Sequence, residues 1–143
     1  MMGFRVSWHI PHRVYRMQVW GDISLEELKA GSDAAIEFLQ IGTAPVHCIG
    51  DARYIRKAPY SIEGILKATQ VLKEPNLGYF LFLSNSQSLN LIGSFVSELS
   101  NVNFKSFMKP DDAIAFLQQQ DDTLPIMKPY TFSDPSLVME KTE

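Results

Sequence analysis

A chain of 143 residues, 45% of them hydrophobic, has room for one domain with an ordinary core and not for two. Its formal net charge of -3, from 13 basic and 16 acidic side chains, supplies no positive field to hold a phosphate backbone, which argues against nucleic acid as a partner. A single cysteine, Cys48, excludes an internal disulfide and a cysteine-rich zinc site; with no apolar run of membrane-span length and no charged-then-apolar leader, a soluble cytoplasmic protein is expected.

Phe4, Val6, Trp8 and Ile10 alternate with Arg5, Ser7 and His9, and after Pro11-His12 a second run continues through Tyr15, Met17 and Val19. This period of two predicts an antiparallel hairpin, and its register decides whether Trp8 and Trp20 share a face. His9 and His12 flank the turn with no acidic residue at ligand spacing, so a surface turn is expected there rather than a metal site. Ser24 and Glu27 have capping-box spacing, and Leu25, Leu28, Ser32, Ala35, Ile36 and Leu39 follow at helical intervals until Gly42. Val46 to Ile49 is apolar on both faces and Tyr79 to Leu83 repeats that character, which predicts two neighbouring central parallel strands, the first ending at Asp51.

Between them lies a basic loop holding Arg53, Arg56 and Lys57 with Tyr54 and Tyr60 interleaved, and then a helix from Ser61 marked by Ile62, Ile65, Leu66, Thr69 and Leu72 and ended by Pro75. The unit is a βαβ crossover, expected to be right-handed. Leu91, Ile92, Phe95, Val96 and Leu99 mark a third helix, Val102 to Phe107 a short edge strand, and Pro110 to Gln120 a last helix with Asp111 and Asp112 complementing its first turn. The fold class is α/β: a mixed, mostly parallel sheet of about five strands with an N-terminal hairpin and about four helices. The domain covers residues 1–120. In 121–143, Pro125, Pro129 and Pro135 interrupt every period, which predicts an extended or docked tail whose Ile126, Tyr130, Phe132, Leu137 and Val138 are available to pack on a surface. Truncation after Asp122 is expected to leave the domain folded.

Arg53, Arg56, Lys57 and Tyr60 gather where open α/β sheets bind ligands, beside a helix start that favours anions, so they are candidates for an anion or partner contact; the alternative is a solvated loop. Ser61 is a candidate helix cap or phosphosite. His47 and Cys48 are adjacent, so on a strand they face opposite ways and cannot act as base and nucleophile; Cys48 is expected in the core. The pairs Glu26-Glu27, Asp111-Asp112 and Asp121-Asp122 sit at helix ends and suggest no general acid, so no catalytic constellation, metal or cofactor is expected.

The strand Val46-His47-Cys48-Ile49-Gly50 ending at Asp51, the helix start near Ser61, the opening Leu25-Glu26-Glu27-Leu28 and the closing Asp111-Asp112-Ala113-Ile114-Ala115-Phe116-Leu117 together resemble the STAS family. These are small α/β domains named for sulfate transporters and anti-sigma-factor antagonists, and the likeness is to stand-alone bacterial SpoIIAA-like members over about residues 4–120. It implies a non-enzymatic regulatory or protein-interaction module that self-associates, as a homodimer, through the hairpin edge, the outer helices or the tail. In switch members an Asp-Ser pair opens the second helix; here it reads Tyr60-Ser61, and Ser61 falls on the phosphorylated position. The alternative is a carrier or sensor for a small anionic or lipid-like ligand, held by the basic loop and a pocket lined by Leu66, Leu91, Ile92 and Phe95.

Overall fold

The computed structural model describes residues 3–135. Five strands form one sheet in the order β1-β2-β3-β4-β5: β1 (Gly3–Ile10), β2 (Val14–Asp22), β3 (Val46–Lys57), β4 (Leu77–Leu83) and β5 (Asn103–Phe107). β1 and β2 are antiparallel and every other pair is parallel, so the fold is α/β with a mixed, mostly parallel sheet. Among the described residues four helices complete it, α1 (Leu25–Ile41), α2 (Ile62–Ala68), α3 (Gln87–Leu99) and α4 (Pro110–Gln120), with a 3-10 turn at Gln70–Lys73 after α2. The hairpin turn places His12 at φ 67, a left-handed conformation that few side chains adopt.

Side-chain alternation along β3 assigns the two faces. Val46 and Cys48 join Tyr15 of β2 in a core covered by α1, α2 and α3, whereas Ile49 joins Val14, Leu81 and Leu83 in a core covered by α4. α1 starts in the capping box that the Ser24 and Glu27 spacing predicts, with both reciprocal bonds formed. Trp8 packs on Phe38 of α1, with ring centroids 4.9 Å apart, while Trp20 meets Phe132 on the other side at 6.0 Å, so the two tryptophans face opposite ways.

One expectation needs correction. β3 does not end at Asp51. Its pairing with β4 stops at Asp51↔Leu83, but β2 continues alongside through Trp20↔Tyr54 and Asp22↔Lys57, so the basic segment is strand rather than loop. The charges conceal this because only half of a strand at the sheet's end is covered. The stretch after α4 crosses back over the sheet as a strap, residues 121–135, burying Leu124, Met127 and Tyr130 against Ile10, Val14 and Ile49. Phe132 packs beside them, whereas Ile126 is 95% exposed and does not dock. Leu137 and Val138 lie outside the described residues.

Candidate functional site

The strap-side face carries two polar clusters. In the first, Asp51 has no exposed surface and accepts a bidentate pair from Arg53, Nε to Oδ1 at 3.0 Å and Nη2 to Oδ2 at 2.8 Å. The two residues are two apart on a strand and therefore share a face. Tyr130 of the strap donates its hydroxyl to Asp51 Oδ2 at 2.7 Å and accepts from Gln18 Nε2 at 3.0 Å, and Gln18 Oε1 in turn accepts from Arg5 Nε. Tyr54 donates to the Phe132 carbonyl at 2.8 Å, fastening the strap a second time. Burial, and then the Asp51 charge, push the Tyr130 hydroxyl far above the usual phenol range. The hydrogen bond to Asp51, with Arg53 pinned beside it, holds the guanidinium in its charged form.

In the second cluster His47 Nδ1 accepts the Tyr79 backbone N–H at 2.9 Å, so the ring proton sits on Nε2 and is donated to Asp121 Oδ2 at 2.8 Å. Arg13 donates to the same oxygen at 2.9 Å. A Cβ at Gly78 would overlap the His47 ring, which is why a glycine precedes Tyr79. Burial pushes His47 below its ordinary value; burial also opposes charge on Asp121, yet the bonds from His47 and Thr123 hold that carboxyl at about 2. Both nitrogens of His47 are thereby occupied in structural bonds. On the other face Cys48 is buried beside Tyr15, and burial raises its thiol to about 12, far from a thiolate.

The residues singled out from sequence are dispersed. Arg53 is spent on Asp51, Arg56 and Lys57 are exposed at the end of β3, and Tyr60 is 63% exposed in the connection to α2. Ser61 is the N-cap of α2, its Oγ accepting the Gly64 N–H at 3.0 Å. Leu66, Leu91, Ile92 and Phe95 do not line a pocket together: Leu91 is 72% and Phe95 53% exposed, while Ile92 faces inward. The apolar space lies deeper, between the sheet and the helices, as two chambers of about 120 and 130 Å³ that share Ile55, Thr69, Leu72, Phe80 and Phe82. Among the described residues no group of His, Cys, Asp and Glu is arranged to hold a metal ion, and no helix is long and apolar enough to cross a membrane.

This architecture is similar to the crystal structure of an uncharacterized DUF3478-family protein from Shewanella loihica PV-4 with a SpoIIAA-like fold, at a TM-score of 0.59 over 81% of this chain and 93% of that one. The chain has a SpoIIAA-like fold. Identity to that protein is 11%, a level at which the likeness concerns the fold alone. No protein-family model and no curated protein matches the sequence. In this SpoIIAA-like chain the helix start that resembles the switch position holds Ser61 as a cap, and the basic residues before it belong to the strand that delivers the chain there.

Sequence reading missed His47, Asp121, Gln18 and Tyr130 as partners. One signal was available: a histidine inside an apolar parallel strand is a buried polar group that must find partners on both nitrogens.

Proposed function

We propose that this chain is a non-enzymatic STAS-like regulatory module that acts in the cytoplasm by pairing with a second copy of itself through the outer face of α3. One observation carries the reading. Leu91, Phe95 and Leu99 stand at i, i+4 and i+8 on α3 and are 72%, 53% and 56% exposed, a continuous apolar stripe with no cover among the described residues. Glu98 is the single charged residue from Gln87 to Leu99, and depletion of charge marks the centre of protein interfaces. Glu98, exposed at i+3 from Phe95 and i+7 from Leu91, is the one charge on this face, a small like-charge cost beside the apolar contact that two copies would make. Among the described residues the outer edge of β5 is unpaired and packs beside α3, which widens the surface available to a second copy. The non-enzymatic part of the proposal draws support from His47 and Cys48, whose chemistry is absorbed in packing and hydrogen bonds.

Light scattering coupled to size-exclusion chromatography across a concentration series tests the pairing. The unmodified chain is expected to run as a dimer at micromolar concentrations and the Leu91→Glu/Phe95→Glu variant as a monomer with its melting temperature nearly unchanged, because exposed substitutions shift stability by about 0.5 kcal/mol or less. A monomeric unmodified chain, or a variant that stays dimeric, would overturn the reading.

A further inference from the structure

The two chambers between the sheet and the helical layer are not explained by self-association. Each is close to the size of an apolar protein cavity, on the order of 150 Å³, that stays dry and binds a benzene-sized molecule. Their shared walls, with Leu72, Phe80 and Phe82 among them, make them adjoining spaces, and Ala58, Pro59 and Leu89, all partly exposed, line the second. No lysine, arginine or histidine is among the described residues lining either chamber. Asp51 borders the first chamber, but its carboxylate is engaged by Arg53 and Tyr130 on the opposite face of the sheet. A charged ligand would therefore lose its hydration without a counterion.

One polar group in this space lacks a partner. Ser97 has no exposed surface, lines the second chamber, and its Oγ makes no hydrogen bond among the described residues. The other hydroxyls along the walls are occupied: Thr69 donates to the Ile65 carbonyl at 2.7 Å, and Ser32 accepts the Val71 N–H at 3.0 Å. A buried hydroxyl without a partner costs free energy that native structures ordinarily avoid. Water is a poor remedy, because a buried water needs two to four polar partners and the free hydroxyl beside these apolar walls offers one.

We infer that the chambers form a binding site for a small uncharged hydrocarbon bearing a single oxygen, such as a phenol, alcohol or ketone, with Ser97 Oγ as the group that recognises the oxygen. The hydrocarbon part fills space bounded by Leu72, Phe80 and Phe82, and the oxygen completes the hydrogen bonding of Ser97.

Titration calorimetry and amide chemical-shift mapping with p-cresol, p-xylene and p-toluate test this on the full chain. Saturable binding of p-cresol is expected, with shifts at Leu72, Phe82 and Val96 and no comparable binding of p-toluate. Ser97→Ala is expected to weaken p-cresol about 3- to 10-fold, the contribution of one neutral hydrogen bond, and to leave p-xylene no weaker than before. Ile65→Trp, which fills the second chamber, is expected to abolish p-cresol binding; if that variant does not fold, the shift map of the unmodified chain locates the site instead. Absence of saturable p-cresol binding, shifts confined to other surfaces, p-toluate binding as tightly as p-cresol, or a Ser97→Ala variant that treats p-cresol and p-xylene alike would each overturn the inference.

Discussion

Asp51 shows how a buried charge is made tolerable in this chain, and also why it escaped a reading by sequence. Its carboxylate is fully buried and receives Arg53 on both oxygens and Tyr130 on one. Removing the tyrosine hydroxyl takes a charge-assisted bond from Asp51 and leaves Gln18 Nε2 without its acceptor. Tyr130→Phe is therefore expected to cost about 2 kcal/mol, and Asp51→Asn, which strands the Arg53 guanidinium, about 3 kcal/mol or more. Urea unfolding of the two variants measures both; a Tyr130→Phe variant as stable as the parent would show that the relay contributes nothing net. Arg53 read as a free cation because the strand was ended at Asp51. Had it been continued, the i, i+2 spacing would have placed acid and base on one face. His47 and Asp121 set the acid limit. Folded His47 binds its proton more weakly than the unfolded chain does, so stability falls as pH drops below about 6.5. Asp121, held at about 2 against an ordinary 3.8, contributes stability that is present at neutral pH and is lost progressively as pH falls from about 5 toward 2. Melting temperatures should therefore decline from pH 7 to pH 5, and more shallowly in His47→Gln. A rise in melting temperature over that interval would contradict the assignment.

At the scale of elements, the legible parts are those whose packing is symmetric or whose ends are chemically marked. α1 announces itself by its capping box, α4 by Pro110 with Asp111 and Asp112, and the centres of β3 and β4 by runs that are apolar on both faces. The second half of β3 was illegible because it pairs with β2 alone and keeps charged residues on its open side. α2 is a short helix of 7 residues whose start depends on Ser61, exposed and accepting the Gly64 N–H. A cap predicts a particular order of variants: Ser61→Ala should lose about 1 kcal/mol, whereas Ser61→Asp, an equally good cap with its charge at the favourable end of the helix dipole, should lose almost nothing. Chemical denaturation of the pair resolves this. Equal losses from both substitutions would show that the hydroxyl is held for something other than capping.

At the scale of the molecule, the SpoIIAA-like order of strands and helices followed from hydrophobic period and turn chemistry alone, because each local choice agrees with the global layering. That reasoning left open, between an extended and a docked tail, whether the strap covers the sheet's second face. α1, α2 and α3 all lie on one side, and α4 on the other packs against β4 and β5, so the strap must close the face over β1, β2 and β3. This argues against the expectation that the chain stays folded when cut after Asp122. Such a cut keeps the Asp121 bond to His47 but removes Leu124, Met127 and Tyr130, which are 6%, 7% and 3% exposed. Burying a large apolar side chain is worth about 1.5 to 3 kcal/mol, so three of them approach the roughly 5 to 15 kcal/mol that holds a whole domain together. The loss also leaves Asp51 and Gln18 open to water without Tyr130 between them. The chain of residues 1–122 is therefore expected to melt without a cooperative transition and to bind the dye ANS strongly, while the full chain does neither. A cooperative melt within a few degrees of the full chain would show that the strap is an accessory and that the core beneath α4 is sufficient.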